Sequence, residues 1–94
     1  MKVRLLGKMW NLKFVFFKNW KEQHGSCDAP TEKNKTIKVH SSLRNRDRLE
    51  SIIHECRHAC DWSRDEEFVH EEAEDMARLL WKLGYRMEGD DEAP

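Results

Sequence analysis

Two prolines, four glycines and a single tyrosine are spread through 94 residues. That is too little for a proline-rich, glycine-rich or collagen-like chain. No apolar run approaches the roughly 18 residues of a membrane-spanning helix, so no membrane role is expected. Three cysteines, Cys27, Cys56 and Cys60, do not make a disulfide framework. Cys56 and Cys60 stand one helical turn apart, a spacing poorly suited to a disulfide, and read as small buried hydrophobes. A reducing cytoplasm is the expected setting. The opening stretch Met1 to Phe17 is basic and apolar, but Lys8 and Lys13 interrupt it and no small-residue cleavage site follows, so it does not read as a signal peptide.

Charge of one sign is also missing overall: the formal net charge is −1. Its distribution is uneven. Residues 1–48 carry 12 Lys+Arg and 4 Asp+Glu, net +8, and residues 49–94 carry 5 and 14, net −9. Two mutually attracting halves of one domain explain this more simply than a nucleic-acid surface, because no aromatic-basic recognition motif stands out. The length suits one small domain over residues 1–87, near the lower limit for a self-sufficient core, where a bound metal helps. Four tryptophans, Trp10, Trp20, Trp62 and Trp81, with four phenylalanines supply aromatic core material. Residues 88–94 are acidic, lack large apolar side chains and read as a disordered tail.

Against this background one pattern stands out. Residues 54–58 are His54-Glu55-Cys56-Arg57-His58, the spacing H-E-x-x-H. A helix turns about 100° per residue, so positions i and i+4 lie one above the other and two imidazoles can share one ion. Zn²⁺ is the cofactor such a pair implies. Leu49, Ile52, Ile53, Cys56, Ala59 and Cys60 recur at helical spacing on an arc roughly opposite the histidines. The spacing predicts a helix over about 47–62, apolar on its back, with its histidine face on a cleft.

Elsewhere, Val3 to Leu6 and the alternating Trp10, Leu12, Phe14 and Phe16 predict two strands joined at Gly7-Lys8. Residues 21–35 read as a loop and Thr36 to His40 as a third strand. Ser63-Arg64-Asp65-Glu66 has the form of a capping box opening a second helix. Phe68, Val69, Met76, Leu79, Leu80 and Leu83 form its apolar stripe, Ala73 and Ala77 allow close approach of a neighbour, and Gly84 stands just past its end. The expected fold is α+β: a small three-stranded sheet, antiparallel or mixed, followed by two packed helices of which the first carries the motif.

The chain resembles the zincin metallopeptidases. It is most similar to small single-domain zincin-like proteins of bacteria and phages, distant relatives of SprT-like and gluzincin enzymes. The carriers are Thr36 to His40, Leu49 to Ala59 around the motif, and the helix opening Asp65-Glu66-Glu67-Phe68-Val69. The resemblance spans roughly residues 36–85. It implies a hydrolase acting on a peptide or protein substrate, with the strand before the motif helix, at Ile37 to Val39, holding an extended peptide by backbone pairing. Asp61 and Arg64 stand where a metzincin has Gly and His, so that branch is not expected.

A catalytic zinc site has three protein ligands and a water. His54 and His58 supply two, and the second helix offers Glu66, Glu67, His70, Glu71, Glu72 and Asp75. Glu66 has a prior task as the capping-box acid. Glu67 and Glu71 are one turn apart and repel unless a cation lies nearby. The resemblance favours Glu67, through the opening E-x-V, over Glu71, which fits the gluzincin E-x-x-x-D. Glu55 is then the general base, taking a proton from the metal-activated water and passing it to the leaving amine. His24, His40, Arg57 and Tyr85 are the candidates for an oxyanion donor, and none is singled out. A thiolate at Cys27 could block the metal, although a plain loop cysteine is the simpler reading. The alternatives in other classes are a non-catalytic zinc-stabilised binding module and a nucleic-acid-associated protein using the basic first half.

Overall fold

Leu6 and Gly7 both adopt positive φ, +48° and +77°, and they form the two-residue turn between β1 (Lys2–Leu5) and β2 (Lys8–Val15). Two left-handed residues match the right-handed twist of a hairpin. The turn lies one residue earlier than Gly7-Lys8, since Leu5 pairs directly with Lys8. The computed structural model describes residues 1–18 and 23–91. Trp20, expected in the core, lies outside the described residues, as does the tail from residue 92.

The chain is α+β, and its sheet is mixed with four strands instead of three. The order is β1-β2-β4-β3, where β3 is Gly25–Cys27 and β4 is Thr36–His40. β1 pairs antiparallel with β2, β2 runs parallel to β4, and β3 pairs antiparallel with β4. β3 arises inside the stretch read as a loop. Three residues, Gly-Ser-Cys, carry neither alternation nor β-branched bulk, so no strand signal exists there. β4 is therefore flanked on both sides, and Ile37 to Val39 have no free backbone edge for a peptide. On this side the sheet edge belongs to β3, and on the other to β1.

Trp10, Leu12, Ile37, Val39, Leu43 and Ala59 form the buried cluster under the sheet, with Ile52 and Cys56 of α1 (Asn45–Cys60) packed against it. The aromatic contribution is narrower than expected. Trp10 and Trp81 are buried, whereas Phe14, Phe16, Trp62 and Phe68 are exposed. β2 ends at Val15, so the alternation from Trp10 to Phe16 runs off the covered part of the sheet.

α1 lies between the sheet and α2 (Glu66–Lys82), and among the described elements α2 packs on α1 alone. Ile52, Cys56 and Ala59 of the apolar arc of α1 face the sheet as expected, but burial against α2 does not follow side-chain size. The most buried positions of α1 are Ser51, Glu55 and Ala59. Those of α2 are Val69, Ala73, Ala77 and Trp81. Of the expected stripe on α2, Phe68, Met76, Leu79 and Leu83 face solvent. Close approach of two helices selects small residues at the contact, and Ala73 and Ala77 meet that need. α2 closes as the sequence indicates: Gly84, at φ +96°, is followed by the bonds Gly84 N–H to Trp81 O and Tyr85 N–H to Leu80 O, both 3.1 Å.

The acidic end is docked over its described part. Asp90 accepts from the Asn45 backbone N–H at 3.0 Å, and Asp91 exchanges bonds with the Asn45 side chain. Arg48 pairs with Asp90, whose side chain is 3% exposed. α1 has no side-chain cap from its own N-cap residue, Arg44, so Asp90 caps it from the far end of the chain. Burial alone would raise the Asp90 carboxyl. The N–H groups of Met87 and Asn45 and the Arg48 guanidinium outweigh it and hold the carboxyl below its ordinary value. A depressed folded value means that this contribution is present above the ordinary carboxyl pKa and is lost as pH falls through the folded one. Asp90→Ala removes the cap and leaves Arg48 uncompensated, so a loss of about 3 kcal/mol is expected in urea unfolding at pH 7. An unchanged midpoint would show that the docked end does not hold α1.

Candidate metal centre

His54 and His58 sit on successive turns near the C-terminal end of α1. A five-residue link, 61–65, reverses the chain into α2. Arg64 N–H bonds Asp61 O, and the Arg64 side chain bonds Asp61 Oδ2, both at 3.0 Å. So short a link sets the first turn of α2 beside the last turns of α1.

The N-cap of α2 is Asp65, whose side chain accepts from Phe68 N–H at 3.1 Å. The Ser63–Glu66 capping box therefore does not form, because the helix begins two residues later than that box requires. This shift releases Glu66 to become the first helical residue, with its carboxylate pointed back at α1. Glu66 Oε1 lies 2.8 Å from His54 Nε2, and Oε2 lies 2.7 Å from His58 Nε2. The two Nε2 atoms are 3.2 Å apart. His54, His58 and Glu66 form one of two groups among the described residues whose ligand atoms all lie within 4.8 Å. Glu67, the expected third ligand, is exposed and belongs to neither group. Glu71 is likewise exposed and outside them, and Glu72 is held by Arg57.

The donor set fits zinc. Two imidazole nitrogens and a carboxylate are ordinary zinc ligands, and at bond lengths of 2.0–2.1 Å their atoms stand about 3.3 Å apart on a tetrahedron. An opening of a few tenths of an ångström would bring the three donors to that spacing.

Glu55 is 9% exposed, and no hydrogen-bond donor meets its carboxylate among the described residues. Burial, and then the Glu66 carboxylate, push its pKa up to about 7. The neighbouring strand explains the burial. A Cβ on Gly25 would stand 2.9 Å from Glu55 Cγ and 2.8 Å from Lys38 O. Only glycine lets β3 lie this close, and nothing in the local sequence signals that role.

Two cavities meet at Gly25, His54, Glu55 and Glu66. One, of about 500 Å³, extends towards the start of α1 past Ser51, Glu50 and Asp47, with His24 and His70 on its sides. The other, of about 460 Å³, extends past His58 to Cys27, Trp62 and Arg64. The metal group thus lies midway along a groove. Among the expected oxyanion candidates, His24 lines the groove. His40 is fully buried, with its Nδ1 accepting from Ser42 N–H at 3.0 Å. Arg57 is paired with Glu72, and Tyr85 lines a different cavity. Cys27 lines the groove, but burial, with Glu55 adding to it, pushes its thiol up to about 12. Its Sγ donates to Asp28 O at 3.3 Å. Cys27 belongs to neither of the convergent ligand groups.

Among the described residues no helix is long and apolar enough to cross a membrane. Compared with protein-family models, curated proteins and solved structures, the chain matches none.

Proposed function

We propose that this chain is a zinc-dependent peptidase. The observation that carries the reading is the convergence of His54 Nε2, His58 Nε2 and both oxygens of Glu66, with the unpartnered, buried Glu55 alongside, at the middle of an open groove. His54, His58 and Glu66 would hold the metal. A zinc ion there would lower the pKa of water and polarise a carbonyl. Glu55 accepts the proton of the attacking water and delivers it to the leaving amine. Its place beside the metal group, screened from solvent by Gly25, keeps that proton within reach of the reacting atoms. The outer edge of β3 offers an extended peptide its backbone groups. His24 O and Asp28 N–H pair inward with β4, so Gly25 and Cys27 turn theirs outward, where Gly25 O already accepts from Gln23 Nε2 at 3.2 Å.

The purified chain should carry close to one zinc per molecule and cleave an unfolded protein such as denatured casein. His58→Ala should lose both the metal and the cleavage. A chain loaded with zinc that hydrolyses no peptide bond would favour a zinc-stabilised binding module and end the peptidase reading.

A further inference from the structure

We infer that the arm of the groove running from His54 towards the start of α1 is a specificity pocket for a lysine or arginine side chain, anchored by Glu50. The inference deepens the peptidase reading and rests on it.

Asp47, Glu50 and His54 succeed one another at helical steps of three and four along α1, Ser51 stands beside Glu50 one step from the same face, and all line the arm. Glu50 precedes His54 by four residues, about 6 Å along the axis. That is less than two residues of an extended peptide, so the side chain it receives belongs to a residue next to the bond held at the metal group.

The charge balance of the arm is open. Two neutral imidazoles, Glu55 and Glu66 together balance a dication. Asp47 and Glu50 then remain, and neither has an ion pair or hydrogen bond among the described residues. Asp47 has a reason of its own to stand in the first turn, where the helix dipole favours an acid. Glu50 does not. Among the described residues no lysine or arginine lines the arm.

Ser51 is 7% exposed, lines the arm, and its hydroxyl has no partner among the described residues. It is a polar side chain more than nine-tenths buried that opens on the arm with its hydroxyl unanswered. An ammonium or guanidinium supplies donors and charge together. The opposite arm adds no acid beyond Glu55 and Glu66, and its Arg64 is already paired with Asp61, so the two arms differ in what they offer a cation.

Glu50 also belongs to the second convergent group, with His70 and Glu74, which makes a second divalent ion the competing occupant. The basic side chain accounts for more. It uses Asp47 and Ser51, which lie outside that group, whereas Glu74 is already answered by Arg78 at 3.1 Å.

The test compares two blocked alanine pentapeptides, with a central Arg or a central Gln, titrated into the zinc-loaded chain and its Glu50→Gln and Asp47→Asn variants. Binding is read by calorimetry, and cleavage is read separately by mass spectrometry. The arginine peptide should bind about tenfold more tightly, the value of one charge-assisted contact. Glu50→Gln should bring it to the level of the glutamine peptide without changing zinc content. Equal binding of the two peptides, or a preference that survives Glu50→Gln, overturns the pocket. So does a second zinc that Glu50→Gln and His70→Ala remove and Asp47→Asn leaves. Preference for arginine without any cleavage supports the pocket and counts against the peptidase.

Discussion

Glu55→Gln should retain zinc and lose about 10³-fold in peptide hydrolysis, in the middle of the range for removal of a general base. Its second signature is in stability. In the metal-free chain the Glu55 pKa stands at about 7 against an ordinary 4.5. A carboxyl raised by folding is favoured protonated in the native state. Its penalty is absent below pH 4.5, grows as pH rises and is complete above about pH 7. The shift is worth roughly 3 kcal/mol, and a buried amide returns part of that. With chelator at pH 8, Glu55→Gln should therefore unfold at higher urea concentration than the parent, by on the order of 2 kcal/mol. At pH 4 the two should coincide. With zinc bound the advantage should disappear, because the cation favours the carboxylate. Undiminished hydrolysis in the variant would remove Glu55 from the mechanism. Reduced stability at pH 8 with chelator would instead make it a structural acid.

That double signature follows from where the fold puts Glu55, and the sequence reveals only half of it. The pairing of His54 with His58, and the carboxylate next to them, are legible because the spacing of a helix is fixed and α1 is long. β4 appears at the residues where alternation places it, Thr36–His40. The burial of Glu55 is not legible. It depends on β3, a three-residue strand with no propensity signal, and on Gly25, whose missing side chain admits the strand. The resemblance implies peptide pairing at Ile37 to Val39, and β3 covers that edge.

Hydrophobicity misleads on part of each helix for a related cause, although Ala73 and Ala77 mark the α2 contact in the sequence. α1 is covered on two sides, by the sheet and by α2, so even Ser51 and Glu55 are buried. α2 is covered on one side by a close-packed neighbour, which selects Ala73 and Ala77 over Met76 and Leu79. A periodicity argument counts apolar side chains, whereas the contact is decided by how near two backbones can come.

The third ligand gives the sharpest separation of sequence from structure. Glu66→Ala should weaken zinc binding by at least about 100-fold, since even outer-shell partners of metal ligands are worth 10- to 100-fold. Glu67→Ala should change it by less than about threefold, as its carboxylate lies outside the convergent group. Both acids stand in the first turn of α2, so a general effect of charge at the helix start would move the two variants together. Competition with a fluorescent zinc chelator measures the difference directly. The side chain of Glu66 is 71% exposed, so its removal should scarcely alter unfolding of the metal-free chain. A loss of affinity without a loss of stability is the mark of a ligand. If Glu67→Ala releases the metal and Glu66→Ala keeps it, the start of α2 lies one residue away from where Asp65 caps it, and the original expectation for Glu67 returns.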